Sequence, residues 1–185
     1  MAMPLAAHRF TVDEYHRMGQ AGVFLEDHRV ELIDGQVVEM TPIGDRHAAC
    51  VRRLTRLFAR HLLEVAIFDV QNPVVLGTHD APQPDVTLLK LRPDGYPTHP
   101  RAADLLLVVE VADTTLAYDR DVKLPLYAGA GIPEVWLVDL PGERIQVYHD
   151  PAGGRYASGR SVSRGATISP LHFPGVSVAA DDILD

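Results

Sequence analysis

The residues of this sequence that are best suited to chemistry are two acids beside apolar segments. Asp85 precedes the apolar stretch 86–89. Glu110 directly follows the continuous apolar run 105–109. A carboxylate at the end of a buried strand loses its water, which is costly unless a cation or hydrogen bonds compensate. Two such carboxylates that converge would bind a hard divalent cation, most naturally Mg²⁺. The same spacing is equally consistent with acids that cap strands or pair with arginines.

The sequence lacks the short motifs of several large enzyme classes. It has no P-loop and no G-x-S-x-G nucleophile elbow, and its nine histidines show no H-E-x-x-H spacing. Gly129-Ala130-Gly131 lacks the third glycine of a dinucleotide site and precedes a predicted strand rather than a helix. Cys50 is the single cysteine, which excludes an intrachain disulfide and a thiolate zinc cluster.

Composition and charge restrict the partners of the chain. The sequence has 185 residues, of which 46% are hydrophobic and 23% charged, and it is most economically one domain over residues 1–185. Its 17 Lys and Arg residues against 25 Asp and Glu residues give a net charge of −8. A net anion does not bind nucleic acid through a general positive field. Nucleic-acid binding would therefore require a local basic patch, a metal ion or a partner.

Nothing in the sequence predicts a membrane span or an export signal. No apolar run reaches the roughly 18 residues that a spanning helix needs. The start of the chain also lacks the charged and apolar regions of a secretory leader. We therefore expect a protein of the reducing cytoplasm that does not enter a membrane.

Two local signals predict the structure of the N-terminal part. A capping box formed by Thr11 and Glu14 starts a short helix that ends near Gln20. Two apolar runs flank Asp34-Gly35, which is a strong signal for a two-residue hairpin.

Hydrophobic periodicity predicts helices and strands in alternation along the rest of the chain. Spacings of three and four residues predict a helix over 45–63, and a further helix is expected over 119–128, where Pro125 delays its start or kinks it. Strands are predicted at 65–70, 73–76, 86–89, 105–109, 135–138 and 144–148, with short strands from residue 156 onward. This order indicates an α/β or mixed α+β fold with a central sheet.

Five short segments occur in an order that resembles one nuclease family. They are E-L-I-D-G at 31–35, Q-P-D-V at 83–86, V-V-E-V at 108–111, Y-D-R-D-V-K at 118–123 and G-I-P-E-V-W-L-V-D at 131–139. Together they resemble the Uma-type family of "putative restriction endonucleases", a bacterial branch of the PD-(D/E)XK nuclease superfamily. The resemblance covers roughly residues 10–180. It implies a restriction-endonuclease-like core, in which helices flank a central mixed sheet with the metal site at its rim and extra antiparallel strands follow at the C-terminus.

The resemblance also implies the residues of the site. Asp85 matches the acid of the PD element and Glu110 matches the acid of the E-x-K element. Together with the main-chain carbonyl of Val111, these two acids would bind Mg²⁺, with Mn²⁺ as the alternative metal. Ala112 stands where the superfamily carries its lysine, and this branch places the lysine on the following helix, here as Lys123. The implied catalytic set, which includes one additional family acid, is Asp85, Glu110, Lys123 and Glu31.

Imidazole and aromatic side chains near this set allow two interpretations. His47 lies on the apolar face of its predicted helix, as a core histidine would, but its place in the first turn also suggests a neighbour of the site. Tyr127 stands four residues after Lys123 on the same helix face, where packing is the simpler role and a site neighbour is the alternative. Trp136 and Tyr118 are expected in the core.

The best local basic patch is the polar face of the helix around residues 46–60. Its five arginines could contact several phosphates of DNA, and such binding would weaken steeply with salt. A solvated helix face is the alternative interpretation. The arginines are Arg46, Arg52, Arg53, Arg56 and Arg60.

These observations favour a Mg²⁺-dependent DNA endonuclease that hydrolyses phosphodiester bonds. The acids would hold the metal, and Lys123 would orient the attacking water. A homodimer is expected, because cutting both strands of a duplex takes two active sites or two visits. Two other functions stay open: a catalytically silent member of the fold that acts as a binding or assembly module, and a metal hydrolase for small phosphoesters.

Overall fold

The structure, a computed structural model, describes residues 6–25 and 28–185. The first five residues of the stretch considered as a leader lie outside these ranges. No helix of the described residues is both long and apolar enough to cross a membrane. The helical elements are α1 (Val12–Gln20), α2 (Asp45–Leu62), a 3₁₀ turn (Ala102–Asp104), α3 (Leu116–Tyr118), a π-helical turn (Asp119–Lys123), α4 (Leu124–Gly129) and α5 (Asp181–Leu184).

The strands form one large sheet and two short antiparallel pairs. They are β1 (Val30–Ile33), β2 (Gln36–Glu39), β3 (Ala66–Val70), β4 (Val86–Lys90), β5 (Leu105–Ala112), β6 (Glu134–Asp139), β7 (Arg144–Ala152), β8 (Arg155–Ser163), β9 (Thr167–Ile168) and β10 (Val178–Ala179). The six-stranded sheet has the order β3-β4-β5-β6-β7-β8, while β1 pairs with β2 and β9 pairs with β10. Within the large sheet β5 and β6 run parallel, and the other neighbouring strands run antiparallel. This is the mixed sheet with flanking helices and additional C-terminal antiparallel strands that the sequence predicts.

The parallel pair β5–β6 requires a long connection, and this connection carries the helical segment of the site. Parallel neighbours need a crossover of about a dozen residues or more. The chain supplies it with α3, the π-helical turn and α4, which return across one face of the sheet. Side chains of this crossover can therefore face side chains of β5.

The central strand β5 is buried on both faces along its whole length. On one face Val109 belongs to the apolar cluster that contains Phe58 of α2 and Trp136 of β6. On the other face Val108 belongs to the cluster that contains Tyr127 of α4. Burial of one large apolar side chain contributes about 1.5–3 kcal/mol. These two layers hold the sheet between α2 and α4.

The predictions for the N-terminal part and for α2 are confirmed. The Glu14 N–H donates to the Thr11 hydroxyl at 3.2 Å, and the Thr11 N–H donates to the Glu14 carboxylate at 2.8 Å, which is the predicted capping box. Asp34 and Gly35 have φ angles of 50° and 73°, as a hairpin turn of type I′ requires. Helix α2 covers nearly the whole predicted range.

The prediction of a strand at 73–76 is wrong. In this stretch Val75 forms a single isolated bridge with Arg101, and no ladder of several paired residues is present. Pro73 has no N–H to donate, and the N–H of Val75 donates to the carbonyl of Pro100 in a loop. The segment is extended, but its hydrogen bonds go to loops rather than to a strand.

Several strands are longer than the sequence predicts, most clearly β5 and the β7–β8 pair. Glu110 does not end β5, because the strand continues to Ala112 and pairs there with Asp139 of β6. β7 continues to Ala152 and pairs with the nine-residue β8, while β9 and β10 are short strands of the kind expected after residue 156. Both extensions follow from pairing with a neighbouring strand, which an apolar run alone does not reveal.

The helix predicted after β5 starts earlier and contains a π-helical turn. The segment begins with α3 at Leu116, and the N–H of Leu124 donates to the carbonyl of Asp119, five residues back. Pro125 follows directly and has no N–H, so the wider turn lies where α-helical hydrogen bonding is interrupted in any case. The π turn thereby sets the direction in which Lys123 projects.

The hairpin of β1 and β2 is anchored at Gly35. The Phe10 N–H donates to the carbonyl of Gly35 at 2.8 Å, and the Gly35 N–H donates to the carbonyl of His79 at 2.8 Å. A Cβ atom at Gly35 would lie 2.7 Å from the Cβ of Arg9. The turn therefore requires glycine both for its positive φ and for the close approach of Arg9.

We predict that Gly35→Ala lowers the free energy of unfolding by about 2 kcal/mol or more, because it adds left-handed strain and a clash. Gly22→Ala is the matched control: its φ of 72° is nearly the same, but a Cβ there meets nothing within 4 Å. The control should show the strain alone, about 1 kcal/mol. Urea unfolding of both variants measures the difference, and equal losses would contradict the proposed clash.

Candidate active site

The register of the sheet places Asp85 opposite Glu110. Val86 pairs with Val109 in the antiparallel ladder of β4 and β5. Asp85 precedes Val86 by one residue and therefore lies across from Glu110, the residue after Val109. Side chains that face each other across such a ladder have Cβ atoms about 4.5–5.5 Å apart. The two acids are both buried, so the structure brings together the pair that the sequence predicts.

The ammonium of Lys123 joins this pair from the crossover. Its Nζ lies 3.2 Å from Oε1 of Glu110 and 3.1 Å from Oε2 of Glu31. Lys123 is only 4% exposed. The lysine thus reaches the acid of β5 although thirteen positions separate them. At Ala112, where the superfamily carries its lysine, the side chain is fully buried.

Tyr127 fixes the same carboxylate from the next turn of the helical segment. Its hydroxyl donates to Oε1 of Glu110 at 2.5 Å, and the ring is completely buried. Packing was the simpler role expected from the sequence, and the structure adds a hydrogen bond to an acid of the site. Glu110 therefore receives two donors on one oxygen, the ammonium and the phenol.

Asp85 is held by three donors, one of them from α2. His47 Nε2 lies 2.9 Å from Oδ2 of Asp85, and the N–H of Val111 donates to the same oxygen at 2.8 Å. The side-chain amide of Gln71 donates to Oδ1 at 3.2 Å. His47 is thus a neighbour of the site and not a plain core histidine. Its Nδ1 is buried and has no hydrogen-bond partner among the described residues.

Glu31 is positioned by the hairpin and by two further donors. The N–H of Gln83 donates to its Oε2 at 3.1 Å, and the hydroxyl of Tyr118 donates to its Oε1 at 3.3 Å. The expectation that Tyr118 lies in the core is wrong, because the residue is half-buried at the edge of the site. Trp136, by contrast, is fully buried as expected.

Sequence reasoning missed Asp119. This acid is buried, accepts a hydrogen bond from the Thr115 hydroxyl at 2.6 Å, and lines the same cavity as the other acids. Its position four residues before Lys123 in a helical segment is a signal that could have placed both side chains on one face. The cavity has a volume of about 540 Å³.

The five arginines predicted as a DNA surface do not all point to solvent. Arg53 donates twice to the carbonyl of Ile183, at 3.1 and 3.0 Å, and Arg46 contacts Asp113 at 3.3 Å. The guanidinium of Arg53 is thus engaged within the protein, whereas Arg46 is 61% exposed and forms a surface ion pair. The exposed stripe on α2 that is left consists of Arg52, Arg56 and Arg60.

A family model named Uma2 and described as "Putative restriction endonuclease" matches residues 12–181. The chain belongs to the Uma2 family. Among solved structures, this Uma2 chain is similar to one described as a putative nuclease belonging to DUF820 from Anabaena variabilis ATCC 29413. The two share 14% sequence identity with a TM-score of 0.76, over 95% of this chain and 97% of the other. This likeness supports the fold. No curated protein matches the chain.

The acids of this Uma2 site share one buried ammonium, which controls their ionisation. Burial alone lowers the pKa of Lys123, but the negative charges of the surrounding acids outweigh burial and raise it. Burial raises the pKa of Glu110 to about 8, although the charge of Lys123 opposes this change. Burial likewise raises the pKa of Asp119. The lysine is therefore the charged member of the cluster, and the pKa values of Glu110 and Asp119 lie above their usual range.

The residues of the Uma2 site fit a divalent cation by donor type and by charge. Asp85 and Glu110 offer carboxylate oxygens from neighbouring strands, and hard cations prefer oxygen ligands of this kind. Buried acids outnumber the ammonium, so added positive charge would be compensated. The described residues contain no group of three His, Cys, Asp or Glu side chains arranged around one metal position. The predicted ligand set of two carboxylates and the main-chain carbonyl of Val111 stays a prediction.

We predict that the metal-free protein loses stability as the pH rises from about 4.5 to 8. Folded Glu110 keeps its proton up to about pH 8, whereas the unfolded glutamate releases it near its model value of 4.5. The folded state therefore binds more protons in this window, so its advantage is complete below the window and disappears as the pH rises through it. In Glu110→Gln this contribution should be absent, which removes up to about 1.4 kcal/mol per pH unit from the slope.

Urea unfolding in EDTA at several pH values measures these slopes. Asp121→Asn is the matched control, since Asp121 is exposed and ion-paired with Arg120 at the surface of the same helical segment. The control should keep the wild-type slope. A wild-type slope in Glu110→Gln would refute the assignment of the proton to this carboxylate.

Proposed function

We propose that the chain is a Mg²⁺-dependent DNA endonuclease that hydrolyses phosphodiester bonds. The observation that carries the proposal is the contact of two buried acids from separate strands with one buried lysine, in a cavity that Asp85 also lines, in a chain of the Uma2 family. Such a cluster would be costly in a protein that did not use it, because each charge taken out of water costs several kcal/mol. Asp85 and Glu110, with the carbonyl of Val111, would hold Mg²⁺ or Mn²⁺.

The bound cation would supply positive charge to the scissile phosphate and lower the pKa of water beside it. The side chains around the cation would stay in place while the phosphodiester bond is hydrolysed. The charged state of Lys123 suits it to donate hydrogen bonds to the attacking water and to the phosphate oxygens, and not to accept a proton. Glu31 and Glu110 both contact the ammonium, so the lysine is held beside the acid of β5 before substrate arrives.

Contacts from neighbouring residues support pre-organisation of the proposed ligands. Tyr127 and Lys123 both donate to Glu110, which restricts the rotamer of that carboxylate. His47, through its contact with Asp85, acts on the other ligand in the same way. Partners of this kind typically contribute 10–100-fold in metal affinity or activity. His47 and Tyr127 are thus proposed as positioning residues.

DNA binding and self-association belong to the same proposal. The exposed stripe Arg52, Arg56 and Arg60 lies on α2, whose first turn carries His47 of the site. Phosphate contacts by these three side chains would make binding fall with rising salt concentration. A homodimer would supply one active site for each strand of a duplex.

The second candidate function is a catalytically silent binding module. One observation favours it: the ammonium of Lys123 already contacts Glu31 and Glu110 without a metal. The two functions differ in metal uptake, because a silent module should show no Mg²⁺ binding that depends on Asp85. Calorimetric titration with Mg²⁺ separates them.

We predict that Asp85→Asn and Glu110→Gln each abolish Mg²⁺-dependent cleavage of DNA, because each removes a proposed ligand. Gel analysis of a labelled DNA measures cleavage, and calorimetry measures the accompanying loss of Mg²⁺ binding. Asp121→Asn serves as the control acid, since it lies on the exposed side of the π-helical turn and should leave both readouts unchanged. Cleavage at the normal rate in either ligand variant would disprove the assignment.

We predict that Lys123→Met lowers the cleavage rate by about 10²–10⁴-fold while Mg²⁺ binding persists, because the lysine orients groups but is not a ligand. Lys123→Arg should also be poor, since a planar guanidinium does not reproduce the compact ammonium. Lys90→Met is the matched control at the only other lysine, which is exposed. Circular dichroism checks that the variants fold. A Lys123→Met protein with wild-type rate would contradict the proposed role.

A further inference from the structure

The candidate catalytic groups lie at the bottom of a cavity and not on the protein surface. Glu31 and Glu110 are 2% and 3% exposed. The cavity above them measures about 540 Å³, a volume in the range of small-ligand sites. A scissile phosphate must enter this cavity to reach the acids and Lys123. The depth of the site therefore restricts the shape of the substrate.

One wall of the cavity carries apolar side chains beside the acids. It is built by β2 and by the connection from β2 to α2, where the apolar side chains of Val38, Met40, Pro42 and Ile43 line the cavity together with Glu39 and Thr41. Ile43 is 40% exposed, so its aliphatic side chain is accessible to a ligand in the cavity. An apolar surface beside a phosphate site suits the face of a nucleobase, which is itself apolar. In a duplex these faces are covered by stacking on neighbouring bases.

The hairpin that carries this wall is fastened to the rest of the protein. Leu32 is completely buried, and it exchanges two backbone hydrogen bonds with Ala81, at 3.3 and 2.8 Å. Glu31 belongs to the same strand, so a movement that opened the cavity on this side would also take Glu31 away from Lys123. This wall is therefore a fixed part of the site and does not open independently of Glu31.

We propose that the site acts on unpaired DNA, either a single strand or an unpaired segment of a duplex. Met40 and Ile43 would form the surface for the base next to the scissile phosphate. This inference rests on the proposed endonuclease function and names its substrate class. In a duplex the faces of that base are covered by stacking, and a nucleotide that leaves the stack does so at a cost of a few kcal/mol. An unpaired strand does not bear that cost.

The charge of the protein agrees with this substrate. A net charge of −8 and a stripe of three exposed arginines on α2 provide little positive surface for the many phosphates of a duplex. Single strands gain part of their affinity from contacts to base faces, which depend less on positive charge. The apolar wall supplies such contacts beside the site.

The substrate preference is tested with three labelled DNAs of the same sequence: a single strand, a blunt duplex and a duplex with a central unpaired loop. Wild-type protein with Mg²⁺ should cleave the single strand and the loop at least about tenfold faster than the duplex, since unstacking of a few kcal/mol limits the latter. Cleavage of the duplex at an equal or higher rate overturns the inference and leaves the endonuclease function intact. Absence of cleavage of all three DNAs, with Mg²⁺ and with Mn²⁺, overturns the endonuclease function instead.

Binding in EDTA tests the inference without any cleavage. Fluorescence anisotropy at low salt should show that wild-type protein binds an oligothymidylate more tightly than the same strand in a duplex with oligoadenylate. The double variant Met40→Ala and Ile43→Ala should weaken binding of the single strand by about threefold to tenfold. Leu91→Ala is the matched control, because Leu91 is equally aliphatic, 56% exposed, and beyond the end of β4 that is opposite Asp85. Equal affinity for single strand and duplex, or wild-type binding by the double variant, would overturn the inference.

Discussion

The buried ammonium of Lys123 is the interaction on which the rest of the site depends. It contacts Glu31 of the β1–β2 hairpin and Glu110 of the central strand, while it projects from the crossover between β5 and β6. Removal of one member of such a group leaves a buried charge without compensation, which typically costs 3–5 kcal/mol, on the order of half the stability of a small domain. Charge balance therefore holds three distant parts of the chain together, in addition to apolar packing.

Strand β5 combines this polar site with the core of the fold. Because side chains alternate along a strand, Val109 and Val111 face the cluster beneath α2, while Glu110 between them faces the crossover. The acid is thus mounted on a strand whose residues are all buried. Functional groups on such an element keep their geometry better than groups on loops. The apolar run that makes the strand stable is also what makes the acid costly to ionise.

The proximity of Asp85 and Glu110 could be predicted from the sequence because both acids border predicted strands, whereas Glu31 and Lys123 are implied only by the family resemblance. Adjacent apolar runs bounded by Asp85 and Glu110 pair in one register, and that register brings the two acids together. The partners of the tyrosines could not be predicted, since the group that the Tyr127 hydroxyl meets depends on the phase of the crossover helix. The π-helical turn sets this phase, and no hydrophobic period signals it. Similarly, periodicity assigned Arg53 to the polar face of α2 but could not show that the distant α5 engages it.

The π-helical turn also determines how the site can change during evolution. A lysine two positions after its acid on the same strand is kept in place by covalent spacing. Lys123 instead depends on the length and winding of the crossover, in which each α-helical residue rotates the chain by about 100°. A single insertion or deletion between Lys123 and Tyr127 would turn one of them away from Glu110, whereas substitutions at outward positions such as Asp121 would not. The length of the crossover is therefore constrained, whereas substitutions on its exposed side leave the site unchanged.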